Sequence, residues 1–168
     1  MSSAADAAPS RTPDRLKDNL YGASFVAPHE GWVVGGFGTI FRTDDGGLTW
    51  TPQASKTTEM LYDVDFVDDD RGWVVGRSGT ILHTADGGRT WAAQQAGVDK
   101  HLFAVDFADA QHGVAVGDWG VVLTTSDGGR TWEDHSLDND VILNDVSMVD
   151  ARTGFVAGEL GTVLRTDD

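Results

Sequence analysis

The sequence predicts an all-β fold: a β-propeller segment of about four four-stranded blades with a 41-residue repeat, its last blade lacking the outer strand. Three observations carry this prediction. Thr43–Trp50 reads Thr-Asp-Asp-Gly-Gly-Leu-Thr-Trp, and related copies begin at Thr84, Thr125 and Thr166, each 41 residues after the last. A fixed period of roughly 20–50 residues marks a repeat architecture. Between the motifs the apolar residues alternate with period 2, as strands require. Nowhere does a run show helical periodicity.

The second unit shows each element in turn. In Leu61 to Val67, residues Tyr62, Val64 and Phe66 share one face of a strand. Asp68 to Gly72 has turn composition, and Trp73-Val74-Val75 is a short strand rich in β-branched residues. Gly76-Arg77-Ser78-Gly79 is a tight turn and Thr80 to Thr84 a third strand. Ala85 to Arg89 turns again, and Thr90 to Gln94 is the fourth strand. In this turn an Asp carboxylate accepts backbone N–H bonds two residues on, and the glycines supply positive φ. Asp45, Asp86, Asp127 and Asp168 are thus structural turn residues, and Trp50, Trp91 and Trp132 are wedges between neighbouring blades. Four strands per repeat of about 40 residues describe a propeller blade.

The other units keep this register. Leu20, Leu61, Leu102 and Leu143 align, as do Phe25, Phe66, Phe107 and Met148. The repeat units are therefore about 20–57, 58–98, 99–139 and 140–168, behind a leader (1–19) of disordered composition. That leader has no apolar core of the kind a secretory signal needs.

Bulk composition narrows the function. Twelve Lys and Arg against 27 Asp and Glu give a net charge of −15. This opposes binding to nucleic acid or to an anionic membrane surface. No apolar run approaches the ~18–20 residues of a membrane span, so direct membrane insertion is not expected. Cysteine is absent, and the five His show no metal-ligand spacing, so neither metal nor cofactor is expected. Asp68-Asp69-Asp70 shares only charge with a calcium loop. Asp63, Asp65, Asp106 and Asp145 fall on the innermost strands, where a solvated channel wall is expected.

In a propeller the turns between second and third strands share a face with the blade connections, opposite the Asp-Gly-Gly turns. Residues that differ between repeats there are the candidate partner-binding site: Phe37, Arg77, Ser78, Asp118, Trp119 and Glu159. Trp119 is the only one of the six Trp outside a repeated position. An exposed aromatic residue among polar neighbours suits a protein contact.

The pattern Thr-x-Asp-Gly-Gly-x-Thr-Trp is the Asp-box, or bacterial neuraminidase repeat. Together with Gly72-Trp73-Val74-Val75-Gly76 and Gly79-Thr80-Ile81-Leu82, it resembles the photosystem II stability/assembly factor family over roughly residues 18–168. The resemblance implies a seven-bladed propeller that binds newly made reaction-centre polypeptides as a scaffold, not an enzyme. It implies an extracytoplasmic or thylakoid-lumenal setting for the full-length protein. Two features depart from that family. The chain holds three complete units and part of a fourth, so it is a fragment of a longer ring or a half-ring completed by a second copy. Its nine Arg are scattered rather than gathered in a patch. The alternative is a carbohydrate-binding or sialidase-like glycosidase propeller, in which Asp118 and Glu159 would act as acid and nucleophile. Against it, Tyr21 and Tyr62 occupy one repeated strand position, and only Arg77 of the nine Arg lies on the candidate face.

Overall fold

A computed structural model describes residues 18–166. Asp168, assigned above to the fourth Asp-box, lies outside the described residues, as does most of the leader. The first sheet is β1 (Leu20–Ala27), β2 (Glu30–Gly35), β3 (Thr39–Thr43) and β4 (Thr51–Ala54), paired in chain order. The second is β5 (Leu61–Phe66), β6 (Gly72–Gly76), β7 (Thr80–Thr84) and β8 (Ala92–Gln95). The third is β9 (Leu102–Phe107), β10 (Gly113–Gly117), β11 (Val122–Thr125) and the two-residue β12 (Glu133–Asp134). The fourth has three strands, β13 (Leu143–Met148), β14 (Gly154–Gly158) and β15 (Val163–Thr166). Every pairing is antiparallel, and the last sheet is short by its outer strand, as the repeat predicts.

The core lies between sheets, not within them. Trp32 of the first sheet is fully buried and stacks on Phe66 of the second, with ring centroids 3.5 Å apart and planes within 7°. Trp73 repeats this on Phe107 at 3.6 Å and 9°. The phenyl ring needs glycine beneath it: a Cβ on Gly72 would lie 2.5 Å from the Phe66 ring. This explains the recurrent Gly-Trp pair, because the glycine admits the ring on which the preceding blade's indole stacks.

The Asp-box is a hydrogen-bonded knot, and it differs in one detail from the expected turn. The Asp86 carboxylate reaches four residues on, accepting from the Thr90 backbone N–H at 2.8 Å and from Thr90 Oγ1 at 2.7 Å. The N–H bond nearer the turn goes to a hydroxyl instead: Gly88 N donates to Thr84 Oγ1 at 2.8 Å, while Thr84 Oγ1 donates to Asp86 Oδ1. The boxes of Asp45 and Asp127 repeat the pattern. Hydrogen bonds from Thr49 hold the Asp45 carboxyl down to about 2, and Asp86 and Asp127 are lowered in the same way. Replacing Asp86 with Ala should cost about 1–3 kcal/mol, since three donors lose their acceptor. A denaturant midpoint unchanged from wild type would show the knot to be dispensable.

The box also ties blades together. The Gly87 carbonyl accepts from Trp32 Nε1 at 3.2 Å and from Gln53 Nε2 at 3.0 Å, both from the preceding blade. Gln53 Oε1 in turn accepts from Trp91 Nε1 at 3.2 Å across the blade interface. Gln94 and Trp132 repeat the contact at 3.3 Å. Trp91 and Trp132 lie in the turn just before β8 and β12, so the fourth strand starts later than its sequence pattern indicates. Among the described residues Trp50 has no such neighbour, and its buried indole N–H finds no partner.

The innermost acidic residues correct the expectation of a solvated wall. Asp65 Oδ2 accepts from Phe107 N at 2.9 Å, Asp63 Oδ2 from Val105 N at 3.0 Å, and Asp106 Oδ2 from Met148 N. Ser24 Oγ does the same for Phe66 N at 3.1 Å. These side chains staple each innermost strand to the next. Burial pushes Asp63 up to about 6 and Asp65 up to about 7, and the nearby carboxylate of Asp106 adds to the rise at both. Asp106 is raised as well, again first by burial. Asp145 differs: it is exposed, and its Oδ1 accepts from the adjacent Val146 N–H.

Candidate partner-binding face

The turns between second and third strands are tight 3-10 turns at Gly36–Gly38, Arg77–Gly79, Asp118–Gly120 and Glu159–Gly161. Backbone bonds clamp them to the loops that join blades. Arg77 N donates to Met60 O at 2.8 Å and Gly79 N to Lys100 O at 2.6 Å. Asp118 N and Gly120 N likewise reach His101 O and Val141 O. The turns and the blade connections therefore share one face; the first three turns rest on the start of their own blade and of the next, and the fourth on its own through Glu159 N and Ile142 O.

In every turn the middle residue adopts a left-handed conformation: Phe37, Ser78, Trp119 and Leu160 have φ of 55°, 56°, 55° and 56°. Such φ values are uncommon for side chains this bulky. Strained backbone of this kind persists only where its surroundings hold it, and it gathers at functional sites. Here clamps on both flanking N–H groups hold it at Phe37, Ser78 and Trp119, and a clamp on Glu159 N holds it at Leu160. The result is display: Phe37 is 76% exposed, Trp119 57% and Leu160 98%. Lys100 Nζ lies 5.0 Å from the Trp119 ring centroid, so its ammonium packs on the indole face.

The predicted residues do not all stand in the same condition. Arg77, Ser78 and Glu159 are exposed beside the apolar row. Asp118 is only partly exposed, and its Oδ1 accepts from the His101 backbone N–H at 2.7 Å. The ring of His101 in turn accepts from Ser78 N through Nδ1 at 3.2 Å. Asp118 thus positions the loop that supports Ser78. Among the described residues, no group of three or more His, Asp or Glu is placed to hold a metal ion.

Leu160, next to Glu159 in the turn Gly158-Glu159-Leu160-Gly161, is the most exposed apolar side chain of this face. Sequence reasoning passed over an aromatic arc. Bulges near the start of β1, β5 and β9 fall at Tyr21, Tyr62 and Phe103. A bulge re-aims the extra residue out of the regular alternation. Tyr21 and Tyr62 lie 5.8 Å apart and Tyr62 and Phe103 5.3 Å, with His101 6.4 Å from Tyr62. These strand ends adjoin the blade connections, so the arc borders the displayed row.

Comparison with known proteins agrees with this architecture. The family described as photosynthesis system II assembly factor YCF48 matches residues 51–101 and 91–168. Among solved structures, YCF48 bound to a D1 peptide is 23% identical, with a TM-score of 0.69, over 90% of this chain and 54% of that one. YCF48 from Cyanidioschyzon merolae is 21% identical, with a TM-score of 0.70, over 88% of this chain and 50% of that one. An ancestral GH74 enzyme shares the fold at 12% identity and a TM-score of 0.73, over 89% of this chain and 23% of that one. A search of curated proteins returned no match. The chain spans about half the length of the two YCF48 structures, and these identities show the fold alone. With the family matched across more than half of its residues, the chain belongs to the photosystem II assembly factor YCF48 family.

Proposed function

We propose that this chain is a non-catalytic scaffold that binds a polypeptide partner through its turn face. The observation that carries the reading is the row of Phe37, Trp119 and Leu160, exposed on one face in a conformation bulky side chains disfavour. Displaying large apolar groups to water costs solubility, and exposed apolar anchors rimmed by polar groups suit an interaction site. Arg77, Ser78 and Glu159 supply polar contacts around these anchors. The D1 peptide held by a YCF48 relative supports a polypeptide ligand, and family membership supports a membrane-protein assembly intermediate as its source. A thylakoid-lumenal or other extracytoplasmic setting fits that role. Against the glycosidase reading, Asp118 is only partly exposed and is engaged by the His101 amide, so it is not a free partner for Glu159.

The test is titration calorimetry of a D1 peptide against wild type, Trp119→Ala and Leu160→Ser. Each substitution should weaken binding roughly tenfold or more, as loss of an interface anchor does, while thermal melts stay superimposable. Equal affinity for all three proteins would remove the turn face from the binding site.

A further inference from the structure

Each inner strand has a bulge near its start, at Tyr21 in β1, Tyr62 in β5, Phe103 in β9 and Asn144 in β13. A bulge turns its extra residue out of the strand's alternation, and none of these four side chains is buried. Tyr62 stands in the middle of the aromatic three, 5.8 Å from Tyr21 and 5.3 Å from Phe103, with ring planes tilted by 57° and 61°. The three rings therefore make one π surface across three blades. Apart from the His101 ring, 6.4 Å from Tyr62, the charge around them is mostly of one sign. The four inner strands carry Asp63, Asp65, Asp106 and Asp145 and no Lys or Arg. In the blade connections beside them, Glu59, Asp99, Asp138 and Asp140 outnumber Lys56 and Lys100. Lys100 is already packed on the Trp119 ring. Asp63 directly follows Tyr62, and its carboxyl is raised first by burial and then by the charges of Asp145 and Asp106, so the negative charge behind the arc is not neutralised.

We propose that the arc of Tyr21, Tyr62 and Phe103 is the seat of an arginine side chain carried by the bound polypeptide. This deepens the reading of the turn face and rests on it: the partner is a polypeptide, and the arc calls for a basic residue within it. A guanidinium is planar, stacks on aromatic faces and is more weakly hydrated than an ammonium. The rings hold its plane while the acidic inner strands and connections supply the opposite charge. The same face already pairs a cation with an aromatic ring, in Lys100 on Trp119 at 5.0 Å. The fourth bulge bears Asn144 in place of an aromatic residue, so the seat lies over the first three blades.

The probe is the peptide acetyl-Gly-Ser-Arg-Ser-Gly-amide, titrated into the isotopically labelled chain and followed by NMR. Its control carries citrulline in place of arginine, which keeps the shape and removes the charge. Saturable shifts are expected at the amides of Tyr21, Tyr62 and Phe103, with the citrulline peptide bound roughly fivefold more weakly. Added salt should weaken the arginine peptide alone, because it screens the carboxylates. Tyr62→Leu and Phe103→Leu keep an apolar side chain at a partly exposed position, and each should bring arginine binding down towards the citrulline level. The comparison of the two peptides needs no protein variant, so it holds whatever a substitution does to folding. Equal affinity for the two peptides, absence of saturable shifts, or shifts confined to residues away from the arc would overturn the proposal. Loss of D1-peptide binding in Trp119→Ala alongside any of these results would leave the turn face standing and remove the arc alone.

Discussion

Trp91→Ala is expected to destabilise the chain by about 3–5 kcal/mol, the range for truncating a buried aromatic residue. The indole is 2% exposed, stands edge-on to Phe66, and donates to Gln53 Oε1 across the blade interface. Its loss opens a cavity between two sheets and strips Gln53 Oε1 of its donor, although Gln53 Nε2 keeps its bond to Gly87 O. Because blades in a repeat array are held by their neighbours, the damage reaches both. Trp50→Ala provides the contrast. Trp50 occupies the same motif position, but it is less buried and its N–H has no partner among the described residues, so its removal should cost visibly less. Urea unfolding followed by circular dichroism measures both. Equal costs for the two variants, or a cost below about 1 kcal/mol for Trp91→Ala, would refute the inter-blade wedge as a main source of stability.

Asp65→Asn is expected to stabilise the chain at pH 8 and to flatten its pH dependence. Burial raises the Asp65 carboxyl to about 7 and Asp63 to about 6, against 3.8 for an ordinary Asp. Between roughly pH 4 and 7 the folded chain therefore holds protons that the unfolded chain has released. Stability falls as pH rises through that window, and it is recovered on acidification. Below about pH 4 the order reverses, because Asp45, Asp86 and Asp127 are lowered by their threonine hydrogen bonds and resist protonation while folded. The melting temperature should thus peak near pH 4–5. An asparagine at position 65 keeps an oxygen for the Phe107 N–H and removes the buried charge. It should raise the Tm at pH 8 by roughly 5 °C, the shift that about 1–2 kcal/mol produces in a chain of this length. Scanning calorimetry from pH 3 to 8 checks both points. A wild-type Tm that climbs steadily from pH 5 to 8 would show these carboxylates to be charged in the folded chain.

The sequence by itself determined the sheets. A period of 41 residues, the alternation in Leu61 to Val67, and the glycine-bounded turns place every described strand within a few residues. These are local signals: strand alternation and turn chemistry act between residues close in the chain. The Gly-Trp pair was legible as a pattern but not as a cause, since the ring above Gly72 is understood only when Trp32 of another blade stacks upon it. Contacts across 34 to 55 residues decided the rest. Asp63 and Asp65 read as channel-lining acids until the neighbouring strand supplied the amides they accept from. Phe37 and Trp119 are displayed because clamps from adjacent blades hold their turns in the left-handed region, which Leu160 adopts as well. Tyr21 and Tyr62 read as scaffold, yet bulges bring them side by side with Phe103 at the strand ends. A period in the sequence specifies the unit and its spacing. The surface made where units meet depends on distances between residues that no local pattern encodes.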